Sequence, residues 1–436
     1  MQHIEKSGDN DKKTDKPRSV YIATYGCQMN LRDSEAIKGM LLEGGFGVTE
    51  EEEKADAVLF VTCSVRQHAE DKVWSEIGRI VKKGQSPSGT VPVIGLVGCM
   101  AENYKGEAFK RMPGIDLVVG TNNIGEIPGL LKEVFDAKRR MREEGRRTKD
   151  NRQLLAVSKK ERDEFVYEPG FRQEKERGFV VISEGCDNFC SYCVVPYVRG
   201  RLRHRKSEDI IKEIETAIGQ GIDSVTLLGQ NVNAYQFKAV SQDQKIRISP
   251  PPLPSPQRGR EYRSRSIVNF IQLLELVNDL DGLREFSFVT SHPKDASPEL
   301  FQAMADLEKL KKYLHLPFQS GSNRILELMH RGYSSKHYLE LAKQYRKIVP
   351  RGVLSTDVIV GFPGESEKDF LKTKELLEAV RFNSAYIFKY SPRPNTGAEK
   401  LKDAVPKEEK ERRHKILLDR QRQISRELKA KNEAKI

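Results

Sequence analysis

The sequence predicts an α/β protein: an amino-terminal open parallel α/β sheet domain followed by a partial (β/α)6 barrel. Three observations predict it. At 436 residues the chain is too long for one ordinary core. Short, near-continuous apolar runs alternate with stretches of helical period, as in parallel strands covered on both faces. Between two such series, from Asp136 to Glu168, the residues are mostly Lys, Arg, Glu and Asp, the composition of a solvated, helical or flexible linker.

Residues 1–18 are polar and charged without an apolar centre, so they predict a disordered tail rather than a secretory signal. In residues 19–135 the strand-like runs VYIATYGC, AVLFVTC and VPVIGLVGC end at Cys27, Cys63 and Cys99. Helical patterns follow over Asp33–Leu42, Val65–Lys82 and Ala101–Met112, and a fourth pair is IDLVVG with Ile124–Phe135. The cysteines are 36 residues apart twice over, about one strand–helix–strand unit. Each thiol therefore falls at the carboxyl end of its strand, where open α/β sheets carry their sites. Three loops at one edge can bring three thiolates together; the alternative is three small buried hydrophobes.

After the linker, residues 136–170, six strands are predicted in residues 171–405: FVVISEGC, SVTLLGQ, EFSFVTSHP, YLHLPFQ, LSTDVIVGFPG and SAYIFKYSPR. Helical patterns separate them at Ser207–Ile218, Ile267–Leu280, Ser297–Leu307, Asn323–His330 with Lys336–Ile348, and Glu365–Val380, with Ser207 and Ser297 as N-caps. Such a barrel carries its site at the carboxyl ends of its strands. Gln230, Ser291, Gln319 and Asp357 are the polar candidates there, with loop capping as the alternative. Residues 234–265 interrupt the pattern with proline-rich, basic sequence, too long and irregular for an ordinary loop, and read as a disordered insertion. Residues 406–436 predict a charged helix whose stripe of Leu417, Leu418, Ile424 and Leu428 packs on the barrel; no strands remain after it.

Composition narrows the function. Mean hydropathy is −0.60, and no apolar run approaches the ~20 residues that cross a bilayer. Six cysteines are too few for a disulfide scaffold, so a cytoplasmic protein with cysteines free to act as ligands is expected. The net charge of +12 favours a polyanionic partner. Arg199, Arg201, Arg203 and Arg205 alternate, so an extended chain would present them on one face for phosphate contact, or simply as a solvated basic loop. No Ser-His-Asp or paired-carboxylate arrangement stands out; Glu184 and Glu365 receive no catalytic role, and His292, His315 and His330 read as packing residues.

Cys186, Cys190 and Cys193 lie at spacings of four and three in one tight loop. Three thiolates can fill three iron sites of a cubane cluster and leave the fourth iron open. The alternatives are a zinc site lacking its fourth ligand, for which His204 in an arginine-rich run is the nearest histidine, or core cysteines.

This CxxxCxxC pattern resembles the radical S-adenosylmethionine (AdoMet) enzymes. With Tyr25-Gly26-Cys27-Gln28-Met29-Asn30, Asp33-Ser34-Glu35, CVVPYVRGR, LLGQNVNAY, TSHP, HLPFQSGSNRIL, DVIVGFPGE and YSPRPNTG, the chain resembles their methylthiotransferase family from about Ser19 to Leu428. Gln28-Met29-Asn30 is similar to the branch that forms 2-methylthio-N6-dimethylallyladenosine at position 37 of tRNA. The ribosomal-protein branch typically carries Lys-x-Asn there, and the threonylcarbamoyladenosine branch Lys-Val-Asn.

The resemblance implies two 4Fe–4S clusters and AdoMet. Cys186, Cys190 and Cys193 would hold the AdoMet-cleaving cluster, and Cys27, Cys63 and Cys99 an auxiliary cluster carrying the sulfur to be methylated and donated. The C2–H bond of adenine has no useful acidity, hence a radical cofactor. Tyr192 would sit beside the AdoMet adenine, the alternative being ordinary packing. Implied partners are the tRNA anticodon loop, whose purine is already accessible, an electron donor such as flavodoxin or ferredoxin, and a sulfur-supply system; a monomer is expected. Three departures stand out. Members usually end in a small RNA-binding barrel, TRAM, not expected here; the insertion after Asn233 is long; and His204-Arg205 stands where Ser-Arg is frequent. Rival readings are another acceptor (threonylcarbamoyladenosine, or a ribosomal-protein aspartate) and a non-catalytic iron–sulfur RNA-binding protein.

Overall fold

The computed structural model describes residues 17–65, 67–84, 91–144, 153–158, 165–167, 172, 176–238, 267–402 and 405–433. The expected tail through residue 16 and most of the insertion, residues 239–266, lie outside them.

The first sheet contains β1 (Ser19–Thr24), β2 (Gly47–Thr49), β3 (Ala57–Thr62), β4 (Val93–Gly98), β5 (Leu117–Val119) and β6 (Leu154–Ala156). All pairings are parallel, in the order β2-β1-β3-β4-β5-β6. Every residue of β3 and β4 is buried, which is why those runs lack polar alternation. Val58, Phe60, Ile94 and Leu96 pack toward Trp74 and Ile77, while Leu59, Val61 and Val97 pack toward Ile37 and Leu131.

β6 corrects the linker expected over residues 136–170. Leu154–Ala156 completes the sheet beside β5, with Leu154 N–H donating to Asp116 O at 2.9 Å. Three residues carry too short a pattern to show against a charged background; the waiting edge of β5 supplies the order. The helix Ile127–Glu143 also runs past the expected boundary at Phe135, and Tyr167 is fully buried.

The barrel expectation holds. Gly178–Val181, Ser224–Leu228 and Glu285–Phe288 form one parallel set, Tyr313–His315, Val353–Val360 and Ser384–Lys389 another, and a parallel bridge from Phe286 to Leu310 connects them. The final helix, Lys407–Glu433, buries Leu417 and Ile424 completely in the barrel's outer core, with Leu418 and Leu428 against it. Ser297 caps its helix, accepting from Leu300 N–H at 3.3 Å. Ser207 does not: it is the first residue of helix Ser207–Gly219, after Lys206. Ile267–Asn269 is a strand rather than helix, pairing antiparallel with Gln236–Lys238, so the insertion leaves and returns on adjacent strands.

Asp369 ties the loop after Tyr313–His315 to the helix Glu367–Val380. Its carboxylate accepts from Ser322 Oγ at 2.6 Å and Ser366 N at 3.0 Å and pairs with Arg324. Burial would raise its pKa, but Arg324, Ser322 and Ser366 hold it well below the usual range. Asp369→Ala should cost about 3 kcal/mol, the order of one hydrogen-bonded charged group, measured by urea unfolding at neutral pH. Because the folded pKa is depressed, this contribution is present above the ordinary value of 3.8 and lost as pH falls through the folded value.

Candidate active site

β1, β3 and β4 are neighbours, so their carboxyl ends share one edge. Cys27 precedes helix α1 (Gln28–Glu43), Cys63 follows β3, and Cys99 opens the helix Cys99–Tyr104. Cys27 is exposed and the other two are buried. Gly26 has φ of 128°, and a Cβ there would lie 2.2 Å from Cys63 Cβ, so a side chain at this turn would push the two loops apart. A hydrogen bond from Cys63 lowers the Cys27 thiol to about 6, with Arg199 assisting. The same bond, with burial, raises Cys63. Burial raises Cys99, partly opposed by Arg199. One thiolate stabilised by its neighbours suits a cysteine ligand set.

The second set occupies the loop after Gly178–Val181. Cys186 N–H donates to Gly200 O at 3.3 Å, Cys193 N–H to Cys190 O at 2.9 Å and Ser191 N–H to Met329 O at 3.0 Å. Gly185 has φ of 76°, and a Cβ would meet Arg201 O at 2.0 Å. Burial raises Cys186 and pushes Cys193 up to about 12. Metal binding by these thiols would have to displace their protons. Among the described residues no three Cys, His, Asp or Glu side chains close on a single ion. In a cubane each thiolate binds its own iron, so the sulfurs need not surround one point.

The two sets meet through one short helix. Val195–Val198 begins two residues after Cys193, Val194 and Val198 pack against Cys99, and Thr121 Oγ donates to Val198 O at 2.6 Å.

At the barrel's carboxyl edge Ser183 Oγ, Asn231 Oδ1, Ser291 Oγ, His292 Nε2 and Gln319 Oε1 are buried without hydrogen-bond partners among the described residues. Gln319 also has φ of 62°, a conformation rarely held without reason. Unpaired buried polar atoms are costly, and this group fits a polar ligand such as AdoMet. Of the sequence candidates, Ser291 and Gln319 belong to this group of unpartnered atoms. His292 joins them as more than packing: burial, with Arg331 and Lys294, lowers it to about 2, and Nδ1 accepts from Lys294 N–H, so neutral His292 presents Nε2–H. Ser183, Asn231 and His292 were not among the sequence candidates, though the latter two adjoin Gln230 and Ser291 in sequence.

Gln230 has another task, its Oε1 accepting from Gly185 N–H at 2.6 Å, which supports the cysteine loop. Asp357 corrects the expectation. It lies inside the eight-residue strand Val353–Val360, its carboxylate 3.4 Å from His315 Nε2. Tyr192 is packed near Met329, Phe362 and Tyr390, and its hydroxyl accepts from Arg331 at 3.3 Å.

Residues 19–120 match the family described as Uncharacterized protein family UPF0004, and residues 180–377 match the Radical SAM superfamily. The chain is 40% identical to the tRNA-2-methylthio-N(6)-dimethylallyladenosine synthase of Carboxydothermus hydrogenoformans, over 96% of this chain and 87% of that protein. The chain belongs to this synthase family. The Moorella thermoacetica synthase is 42% identical, over 96% of this chain and 85% of the relative. Among solved structures, the fold is similar to the radical S-adenosylmethionine methyltransferase TsrM from Kitasatospora setae with cobalamin and [4Fe-4S] cluster bound. The TM-score is 0.52 at 14% identity, covering 88% of this chain and 74% of that one. The cobalamin-dependent radical enzyme OxsB in its apo form gives 0.54 at 12% identity, covering 91% and 56%. As a radical SAM protein the chain uses a 4Fe–4S cluster and AdoMet.

In this synthase-family chain the arginine run is not a phosphate-binding face. Arg199 and Arg205 are each 5% exposed. Arg199 pairs with Asp33 at 2.5 Å and Arg205 with Glu213 at 2.5 Å. Arg203 is half-buried against Glu184 at 2.8 Å; Arg201 alone of the four is exposed, beside Asp187 at 3.1 Å. The chain turns at Gly200, with φ of 78°, and the interface carboxylates draw Arg199 and Arg205 inward. Tyr167 Oη lies 2.6 Å from both Asp33 and Glu184, joining the two domains. No helix among the described residues is long and apolar enough to cross a membrane.

Proposed function

We propose that this chain is a radical AdoMet transferase that adds a methylthio group to C2 of N6-dimethylallyladenosine at position 37 of tRNA, using two 4Fe–4S clusters. The observation that carries the reading is the contact of Cys99 with Val194 and Val198, which seats one three-cysteine edge against the other. Cys186, Cys190 and Cys193 are the ligands of the AdoMet-bound cluster, and Cys27, Cys63 and Cys99 those of the auxiliary one. When bound, cluster and AdoMet supply a radical able to take hydrogen from an unactivated C–H bond.

The chain's own residues orient and enclose. Gln230 fixes the cysteine loop through Gly185. Ser291, His292 and Gln319, with Ser183 and Asn231, offer unpaired polar atoms to AdoMet. Arg201, the exposed member of its run, is the one that would meet tRNA phosphate. A one-electron donor such as flavodoxin or ferredoxin and a sulfur-supply system complete the reaction, and the working form is a monomer in the cytoplasm.

The test is nucleoside mass spectrometry of tRNA from a strain lacking its own synthase, with and without this gene. The methylthio form of N6-dimethylallyladenosine should be restored. Its absence, with methylthio groups on threonylcarbamoyladenosine or a ribosomal protein instead, would replace the acceptor.

A further inference from the structure

Arg331 is 5% exposed and lies against the second cysteine loop. Its Nη1 donates to Cys190 Sγ at 3.3 Å and to Tyr192 Oη at 3.3 Å, its Nη2 to Pro317 O at 3.0 Å, and its Nε to Tyr333 Oη at 3.1 Å. Among the described residues no carboxylate lies within ion-pair distance of it. The contrast with its peers is sharp. Arg32, Arg199, Arg205, Arg393 and Arg413 are buried to a similar degree, and each pairs with a carboxylate. A buried cation without an anion is costly, so structures rarely keep one without compensation. The group Arg331 touches instead is the sulfur of Cys190, which would be a thiolate once it ligates the cluster proposed above.

We propose that Arg331 is the counter-ion of the cluster on Cys186, Cys190 and Cys193 and sets the potential at which that cluster accepts its electron. The inference rests on the ligand assignment proposed above. In the step concerned, one electron passes from an external one-electron donor to the cluster, the donor is oxidised, and one negative charge is added beside the guanidinium. A fixed positive charge in a low-dielectric setting favours that added charge. Arg331 is thus a positioning residue acting through Cys190 rather than a catalytic one.

The test uses full-length protein with Cys27, Cys63 and Cys99 replaced by alanine, so that one cluster is titrated. The cluster is reduced with dithionite and followed by electron paramagnetic resonance. Arg331→Gln should lower the midpoint potential by at least 59 mV, a tenfold shift for a one-electron couple, and Arg331→Lys should recover much of it. Arg331→Gln should also narrow the gap in Tm between loaded and cluster-free protein, because only the loaded form contains the partner anion. An unchanged midpoint at full iron content overturns the proposal, and so does an equal Tm loss in both forms, which marks a purely structural arginine. Should Arg331→Gln bind no iron, an unchanged or raised cluster-free Tm supports the counter-ion role and a lowered one overturns it. Absence of iron from the Arg331 parent protein would instead overturn the ligand assignment.

Discussion

Replacing Cys27, Cys63 and Cys99 together by alanine should lower reconstituted iron from about eight to about four per chain, one cubane lost of two. It should abolish methylthio transfer while AdoMet cleavage by the reduced protein continues. Replacing Cys186, Cys190 and Cys193 should also leave about four irons, but end cleavage and transfer together. The asymmetry follows from the geometry. The barrel's unpaired polar atoms, Ser291 Oγ, His292 Nε2 and Gln319 Oε1, lie at the strand ends of the domain carrying Cys186, Cys190 and Cys193. The first set stands on the edge of a different sheet, touching the barrel through Cys99, Val194 and Val198. Iron counts, 5′-deoxyadenosine yield and nucleoside mass spectrometry are the readouts. Retention of about eight irons after the first replacement would remove the auxiliary cluster from Cys27, Cys63 and Cys99. Loss of AdoMet cleavage from the same folded variant would show that the two sets act as one site.

What the sequence could disclose depended on how local the determinant was. β3 and β4 declare themselves because burial on both faces leaves only apolar residues over consecutive positions. The cysteine sets declare themselves because spacing alone puts each thiol at a loop or strand end. β6 carries no such signal, since Leu154–Ala156 owes its order to an edge supplied by a strand far earlier in the chain. The arginine run misleads for a related reason. Alternation predicts one shared face only if the backbone stays extended, and the turn at Gly200 separates Arg199 from the residues after it. Asp33, Glu184 and Glu213 then decide which arginines turn inward. Arg331 was invisible because a buried arginine acquires meaning only from the absence of a carboxylate beside it.

Glu213→Gln should be among the most destabilising single substitutions at the domain junction. The Glu213 side chain is fully buried and faces Arg32 at 3.1 Å, Arg205 at 2.5 Å and Arg172. Arg32 lies on α1 of the first domain, and Arg205 and Glu213 belong to the barrel domain, so the carboxylate holds one to the other. Burial alone would raise its pKa, yet Arg205, Arg32 and Arg172 hold it below the ordinary 4.5. The amide removes the charge and keeps the shape. Glu35 remains near Arg32 and Arg172, but Arg205 loses its carboxylate. Removing one member of a buried ion network costs about 3–5 kcal/mol. The wild-type contribution exists above the ordinary value and is lost as pH falls through the lower folded one. The difference in stability between wild type and Glu213→Gln should therefore be largest near neutral pH and shrink in acid. Thermal and urea unfolding across that range would show it, with the first domain and the barrel melting separately once the junction weakens. A cost below about 1 kcal/mol would mean that desolvation had already cancelled the attraction. The domains would then be held by the Arg199–Asp33 and Arg393–Glu70 pairs, by Tyr167 and Thr121, and by the apolar contact of Val194 and Val198 with Cys99.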